Sequence, residues 1–269
     1  MNKKLLIIII AVMAIGSIIV FLSGKRISKA VGIASHSAAR SLSGQARGLE
    51  AKGNLLEAKL LYQKLVNDFP GSPEVTDWQK KTEDINIKLL FSTRLTPNSI
   101  IYQIRPGDTL DKIAREYKTT TELIMKSNNI NDALIIPGRK VKISSVPFNI
   151  LVDKSQNMLL LKNNEEIIKA YIVSTGKNNC TPAGTFKIVN KLSNPTWFKA
   201  GAVVPPESAQ NVLGTRWMGF DLAGYGIHGT IQPTELGKQV TQGCVRLSNA
   251  DVEELYSIVP VGTEVTIIE

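Results

Sequence analysis

Gly226-Ile227-His228-Gly229-Thr230, followed by Thr241-Gln242-Gly243-Cys244-Val245-Arg246-Leu247-Ser248-Asn249, sets one histidine and one cysteine sixteen positions apart in glycine-rich surroundings. An unperturbed thiol ionises near pH 8.5, and the thiolate is the nucleophile. A neighbouring imidazole can take the thiol proton and form an ion pair with the thiolate. Gly243 lets a substrate or another backbone come close, and Arg246 adds positive potential two residues from the sulfur. The chain has two histidines, and His36 falls in a helical region, so His228 is the only base of its type near Cys244. Spacing alone leaves two readings open: a catalytic Cys–His pair, or a buried structural cysteine that packs as a small hydrophobe. The other cysteine, Cys180, precedes Thr181-Pro182; a Cys180–Cys244 disulfide is the alternative to a working thiol. Two cysteines are too few for a disulfide scaffold.

Around this segment, residues 147–269 read as mostly β. Asn149–Val152, Met158–Leu161, Ile167–Ser174, Thr185–Val189, Trp217–Leu222 and Glu264–Ile268 are short apolar strands, with polar turns such as Lys154-Ser155-Gln156-Asn157 between them. One helix is expected over Ala250–Val259, capped by Ser248 or Asn249 and ended by Pro260. Pro205–Asn211 fits no element.

Residues 99–145 form a smaller strand–helix–helix–strand unit. Ile100–Ile104 is β-branched, Arg105-Pro106-Gly107 is a turn, and Asp108 can cap a helix reaching Tyr117. Thr119 and Glu122 form a capping-box pair for a second helix, and Lys140–Ile143 closes the unit. YQIRPGDTLDKIAREYKTTTELIMKSNNI and LIIPGRKVKI resemble a LysM domain. That family binds the N-acetylglucosamine-containing chains of peptidoglycan or chitin. The resemblance points to Gly107, Asp108, Thr109, Asn128, Asn129, Ile130 and Ile136 as glycan-binding positions.

Residues 36–92 carry helical periodicity, with Ala51, Leu55, Ala58, Leu61, Tyr62 and Leu65 on one face. Phe69-Pro70-Gly71-Ser72-Pro73 breaks it before a helix ending near Leu90. GNLLEAKLLYQKLVNDFPGSP resembles a single tetratricopeptide-type hairpin; a helical spacer and a protein-docking module are equally compatible with one copy. Residues 23–35 read as a linker. Before them, Leu5–Leu22 is an uncharged apolar run of eighteen residues, long enough for a spanning helix and longer than most signal-peptide cores. Residues 1–24 are therefore expected to be a retained membrane anchor, with cleavage after Ile33-Ala34-Ser35 as the alternative. The net charge of +9 suits an anionic polymer or lipid as well as solvated faces; no zinc-finger spacing or aromatic-interleaved basic stretch points to nucleic acid.

HGT…TQGCVRLSNADV resembles the signature of YkuD-like L,D-transpeptidases. STGKNNCTPAGTFKI and NILVDKSQNMLLL agree with that family over about 120 residues. Together these readings give a multidomain chain: an N-terminal transmembrane helix, a short tetratricopeptide-like hairpin, a small βααβ LysM module and a mostly-β catalytic domain. The L,D-transpeptidase resemblance implies Cys244 as nucleophile, His228 as general base and then acid, and the Gly229 carbonyl as the group that orients the imidazole. Backbone N–H groups of Gly243 and Cys244 would form the oxyanion hole, Thr241 would belong to the site, and Arg246 would order it or hold a substrate carboxylate. Gln242 stands where many members carry a histidine. The implied reaction is thioester formation on a tetrapeptide stem with release of D-Ala, then transfer to an amine in a 3→3 crosslink. Water as acceptor would make it an L,D-carboxypeptidase, and a chain without catalysis would be a LysM wall-binding scaffold. No metal or organic cofactor is implied. The expected partners are peptidoglycan stems and glycan strands, with the catalytic domain outside the cytoplasm.

Overall fold

A computed structural model describes residues 28–269 except 133, 134, 145, 165 and 200; side chains are described from Ser37 onward, Lys199 excepted. The apolar run Leu5–Leu22 lies outside these residues. Among the described residues no helix is long and apolar enough to cross a membrane. The chain divides into two compact units, with the boundary between Leu89 and Leu90.

The first unit is helical: α1 Ser28–Ala51, α2 Leu55–Asp68 and α3 Val75–Leu90. Helix α1 begins inside the stretch read as a linker; alanine-rich, proline-free sequence sustains it. The face read as continuous through Ala51 and Leu55 is broken at Gly53, whose φ of +76° is left-handed. Gly53 N–H donates to Glu50 O and Asn54 N–H to Leu49 O, the paired bonds of a Schellman stop. Behind the turn, Ala58, Tyr62, Leu65, Trp78, Ile85 and Leu89 form the core. Each fully buried large apolar side chain contributes about 1.5–3 kcal/mol.

The second unit opens with β1 Ser99–Gln103, α4 Leu110–Glu116, α5 Thr121–Ser127 and β2 Lys140–Ser144. Strands β1 and β2 pair antiparallel, Ser99 opposite Ser144. The caps differ from expectation by one residue. Thr109, not Asp108, caps α4, its hydroxyl accepting Lys112 N–H. Asp108 Oδ2 instead accepts Arg105 N–H at 2.7 Å and the Tyr102 hydroxyl at 2.8 Å, which braces the turn. Thr120, not Thr119, caps α5 through Leu123 N–H.

The remainder is built on an eight-stranded sheet. Its strands are β3 Phe148–Asp153, β4 Met158–Asn163, β5 Glu166–Ile172, β7 Gly184–Ser193, β10 Arg216–Phe220, β11 Gly226–His228, β13 Val245–Arg246 and β14 Glu264–Ile268. Their spatial order is β13-β11-β10-β7-β14-β3-β4-β5. The final strand β14 sits inside the sheet, parallel to β3 and antiparallel to β7. Its apolar Val265 and Ile267 and the alternating Phe148, Ile150 and Val152 of β3 are buried. Short strands β6 Thr175–Gly176, β8 Trp197–Lys199, β9 Ala202–Val204 and β12 Gln239–Thr241 lie outside this sheet. Helix α6, Asn249–Ile258, is capped by the Ser248 hydroxyl, which accepts Asp251 N–H. It buries Val252, Leu255 and Ile258. Pro205–Asn211 is a run of turns, its Asn211 amide donating to the Pro195 carbonyl at 2.8 Å.

Candidate active site

Strands β11 and β13 run parallel, with Ile227 opposite Val245 and His228 opposite Arg246. The loop between them leaves the sheet after His228 and returns at Cys244, one residue ahead of β13. Cys244 is thus level with Gly226, and the two-residue period of a strand puts Gly226 and His228 on one face. Cys244, His228, Arg246, Thr241, Gln242 and Gly224 line one cavity of about 690 Å³. Lys177 borders it, and so do Trp197 and Phe198 of the β8–β9 hairpin.

His228 is 3% exposed. Its Nδ1 lies 2.7 Å from the Gly229 carbonyl oxygen. A carbonyl only accepts, so Nδ1 carries the proton and Nε2 keeps the lone pair. The Trp217 ring stacks on the imidazole at 5.9 Å, with 23° between the planes. Burial pushes the imidazole pKa down to about 4; Arg246 pushes it the same way, while the Gly229 and Leu213 carbonyls oppose. Burial also raises the Cys244 thiol, against the smaller opposing effects of the Gly226 backbone and Arg246. Both shifts favour a neutral imidazole and a protonated thiol. The thiol points to the Gly224 carbonyl, at 3.6 Å.

Several anticipated residues have duties within the fold. The Thr241 hydroxyl donates to the Cys244 carbonyl at 2.7 Å and accepts Gly243 N–H at 3.1 Å. Gly243 N–H, expected in the oxyanion pair, is thus hydrogen-bonded within its own loop. Gly243 itself is needed for packing: its φ is +124°, and a Cβ there would stand 2.6 Å from the Tyr225 ring. Arg246 forms a salt bridge with Glu235 at 2.8 Å, and its Nε is buried without a partner. Cys180 and Cys244 are both free, and Cys180 is exposed. Trp217, Glu235 and Asn249 matter to the site but were not singled out for it. Asn249 stood in the signature, read there only as a helix cap.

In the β1–β2 module, Gly107, Thr109, Asn129 and Ile136 are exposed. Asn128 and Ile130, also expected among the glycan contacts, are buried. Asn128 Oδ1 accepts Lys142 N–H at 2.6 Å, and its Nδ2 donates to the carbonyls of Lys142 and Ile124, each at 2.8 Å. Ile130 belongs to the module's core with Leu110, Ile113 and Val141. The Asp108 carboxylate is spent on the turn already described.

Comparison with known proteins agrees with this layout. The family model of the L,D-transpeptidase catalytic domain, YkuD, matches residues 147–267, and that of the LysM domain matches 102–144. The YkuD protein of Bacillus licheniformis, which carries an L,D-transpeptidase designation, is 34% identical over 177 residues, covering 62% of this chain and 98% of that protein. Its namesake in Bacillus subtilis is 34% identical over 175 residues, with the same two coverages of 62% and 98%. Bacillus subtilis YqjB, of the same designation, is 38% identical over 126 residues, covering 45% of this chain and 70% of YqjB. With nearly the full length of two relatives matched above 30% identity, and the Cys244 cavity set in the matched region, this chain is a LysM-containing member of the L,D-transpeptidase family of acyltransferases.

Proposed function

We propose that Cys244 is the nucleophile of a peptidoglycan L,D-transpeptidase and that His228 is its general base. The observation that carries this reading is the fixed tautomer: with Nδ1–H held by the Gly229 carbonyl, Nε2 has a lone pair free for a proton. Since both groups are neutral at rest, proton transfer accompanies attack rather than preceding it.

In the reaction, Cys244 Sγ attacks the carbonyl between the third stem residue, a diamino acid such as meso-diaminopimelate, and the terminal D-Ala. His228 Nε2 takes the thiol proton. The tetrahedral oxyanion forms near Cys244 N–H, a stronger candidate donor than the already engaged Gly243 N–H. As the C–N bond breaks, imidazolium protonates the leaving amine of D-Ala and a thioester remains. The side-chain amine of a second stem attacks the thioester, gives up a proton to His228, and the thiol re-forms. The product is a 3→3 crosslink; water in place of the amine would give hydrolysis. No cofactor enters these steps.

The LysM module binds wall glycan in this proposal, through the exposed surface at Gly107, Thr109, Asn129 and Ile136. The modules work outside the cytoplasm, where their substrate is, and Leu5–Leu22 serves as the anchor. Mass spectrometry of the chain with tetrapeptide stems tests the central claim. A thioester on Cys244, D-Ala release and a crosslinked product are expected, with Cys244→Ala losing turnover by at least about 10⁴-fold. Full activity in Cys244→Ala would overturn Cys244 as nucleophile; no D-Ala release and no carbapenem adduct on the unaltered chain would leave only the scaffold reading.

A further inference from the structure

Gly229 gives the imidazole a carbonyl and nothing more, so whatever fixes the 229–230 peptide also fixes His228. The N–H of that peptide, on Thr230, donates to Asn249 Oδ1 at 3.1 Å. The same oxygen accepts Thr215 N–H at 3.2 Å. Asn249 Oδ1, the Thr230 N–H, the Gly229 carbonyl and His228 Nδ1–H therefore form one continuous hydrogen-bonded line. Hydrogen bonds at the two ends of a peptide group polarise it in the same sense and strengthen one another.

Two glycines make room for this oxygen. A Cβ on Gly214 or on Gly229 would stand 2.2 Å from Asn249 Oδ1. Gly214 has a left-handed φ of +64°, and it adjoins Leu213, whose carbonyl also acts on the imidazole. Asn249 thus reaches from the first turn of α6 into the junction of the two backbone segments that cradle the ring.

We propose that Asn249 is the positioning residue for His228, acting through the 229–230 peptide in place of a third catalytic side chain. The inference rests on the reading of His228 as the base, but its test has a readout independent of activity. With ¹⁵N-labelled histidine in the full chain, the two histidines give two sets of ring signals, which His228→Gln assigns.

Asn249→Leu keeps the side chain's size and removes the acceptor. It should change His228 from a single Nδ1–H form to a tautomer mixture and lower kcat about 100-fold with KM within about threefold. Asn249→Asp keeps an acceptor oxygen for both N–H groups and is the variant that decides if Asn249→Leu does not fold. It should retain the Nδ1–H tautomer while its carboxylate raises the ring's titration midpoint, against the depressing charge of Arg246. Wild-type ring signals in Asn249→Leu, even with lower stability or activity, would overturn the proposal. So would an unmoved His228 titration in Asn249→Asp. Undiminished transfer by His228→Gln would instead overturn the assignment of the base, and the ring signals of the two Asn249 variants would still decide the line described here.

Discussion

Asn128 and Asn249 are amide side chains that each hold two stretches of backbone together, in two regions of the second unit. Asn128 joins α5 to β2 across 14 positions, inside a module whose contacts are mostly local. Asn249 joins backbone 19 and 34 positions upstream of it, at the edge of a sheet whose strands meet in an order far from that of the chain. The first clasp closes a small fold. The second fixes the peptide on which a buried imidazole rests. The same bonds thus serve stability in one place and the state of one proton in the other, because only the second ends beside a titratable ring.

The largest effect that separates the two belongs to Asn128→Ala. Four contacts go, to Lys142 N–H, the Lys142 and Ile124 carbonyls and the Ser127 hydroxyl. Buried backbone groups lose their partners, so the module should lose about 3 kcal/mol, read by hydrogen exchange over residues 99–144. Thioester formation on a soluble stem should stay within a few-fold; a large loss would break the comparison.

Acid should find the other region. The folded-state pKa of His228 lies at about 4, below the reference value of 6.5, so the unfolded chain binds the proton that the buried ring refuses. Stability from this group is intact above pH 6.5 and is lost as pH falls toward about 4, at up to about 1.4 kcal/mol per pH unit. Denaturation at stepped pH, compared with His228→Gln, isolates that slope; equal slopes in the two proteins would contradict a buried neutral imidazole.

A third measurement sharpens the resting state. In a Cys180→Ala background, iodoacetamide should alkylate Cys244 several-fold more slowly at neutral pH than an exposed thiol, speeding up only at alkaline pH, because burial raises the thiol pKa. A fast plateau persisting to low pH would mean a resting ion pair. The smallest effect is that of Glu235→Gln. Glu235 is 39% exposed and its bridge to Arg246 is partly in water, so under about 1 kcal/mol should be lost in thermal unfolding.

Much of this was readable beforehand where neighbours in sequence are neighbours in space. The strand–helix–helix–strand order of the LysM module follows from a turn, two capped helices and a closing strand. Its caps were displaced by one residue because Asp108-Thr109 and Thr119-Thr120 each offer adjacent side chains able to cap. Asp108 was drawn instead to the Tyr102 hydroxyl across the turn, a partner that no cap pattern includes. In the catalytic domain the Cys244 and His228 segments were visible as a family signature. The partners of Asn249 were not, since Thr215 and Thr230 reach it only once β10, β11 and α6 have packed. Occupation of Gly243 N–H by Thr241 was hidden too: a threonine two residues before a glycine looks the same whether its hydroxyl faces a substrate or its own loop.

The join between the LysM module and the catalytic domain has a mechanical consequence. Only residues 145–147 separate β2 from β3, and the Thr120 hydroxyl donates to the Ser257 carbonyl while Lys126 Nζ donates to Ser257 Oγ at 3.0 Å. Residues on α5 are therefore fastened to α6, the helix that also carries Asn249. A tether spreads its load over a cloud of distances that widens with its length. If the module holds glycan as proposed, a fastened module would act as a jig, offering the strand to the cavity from one side.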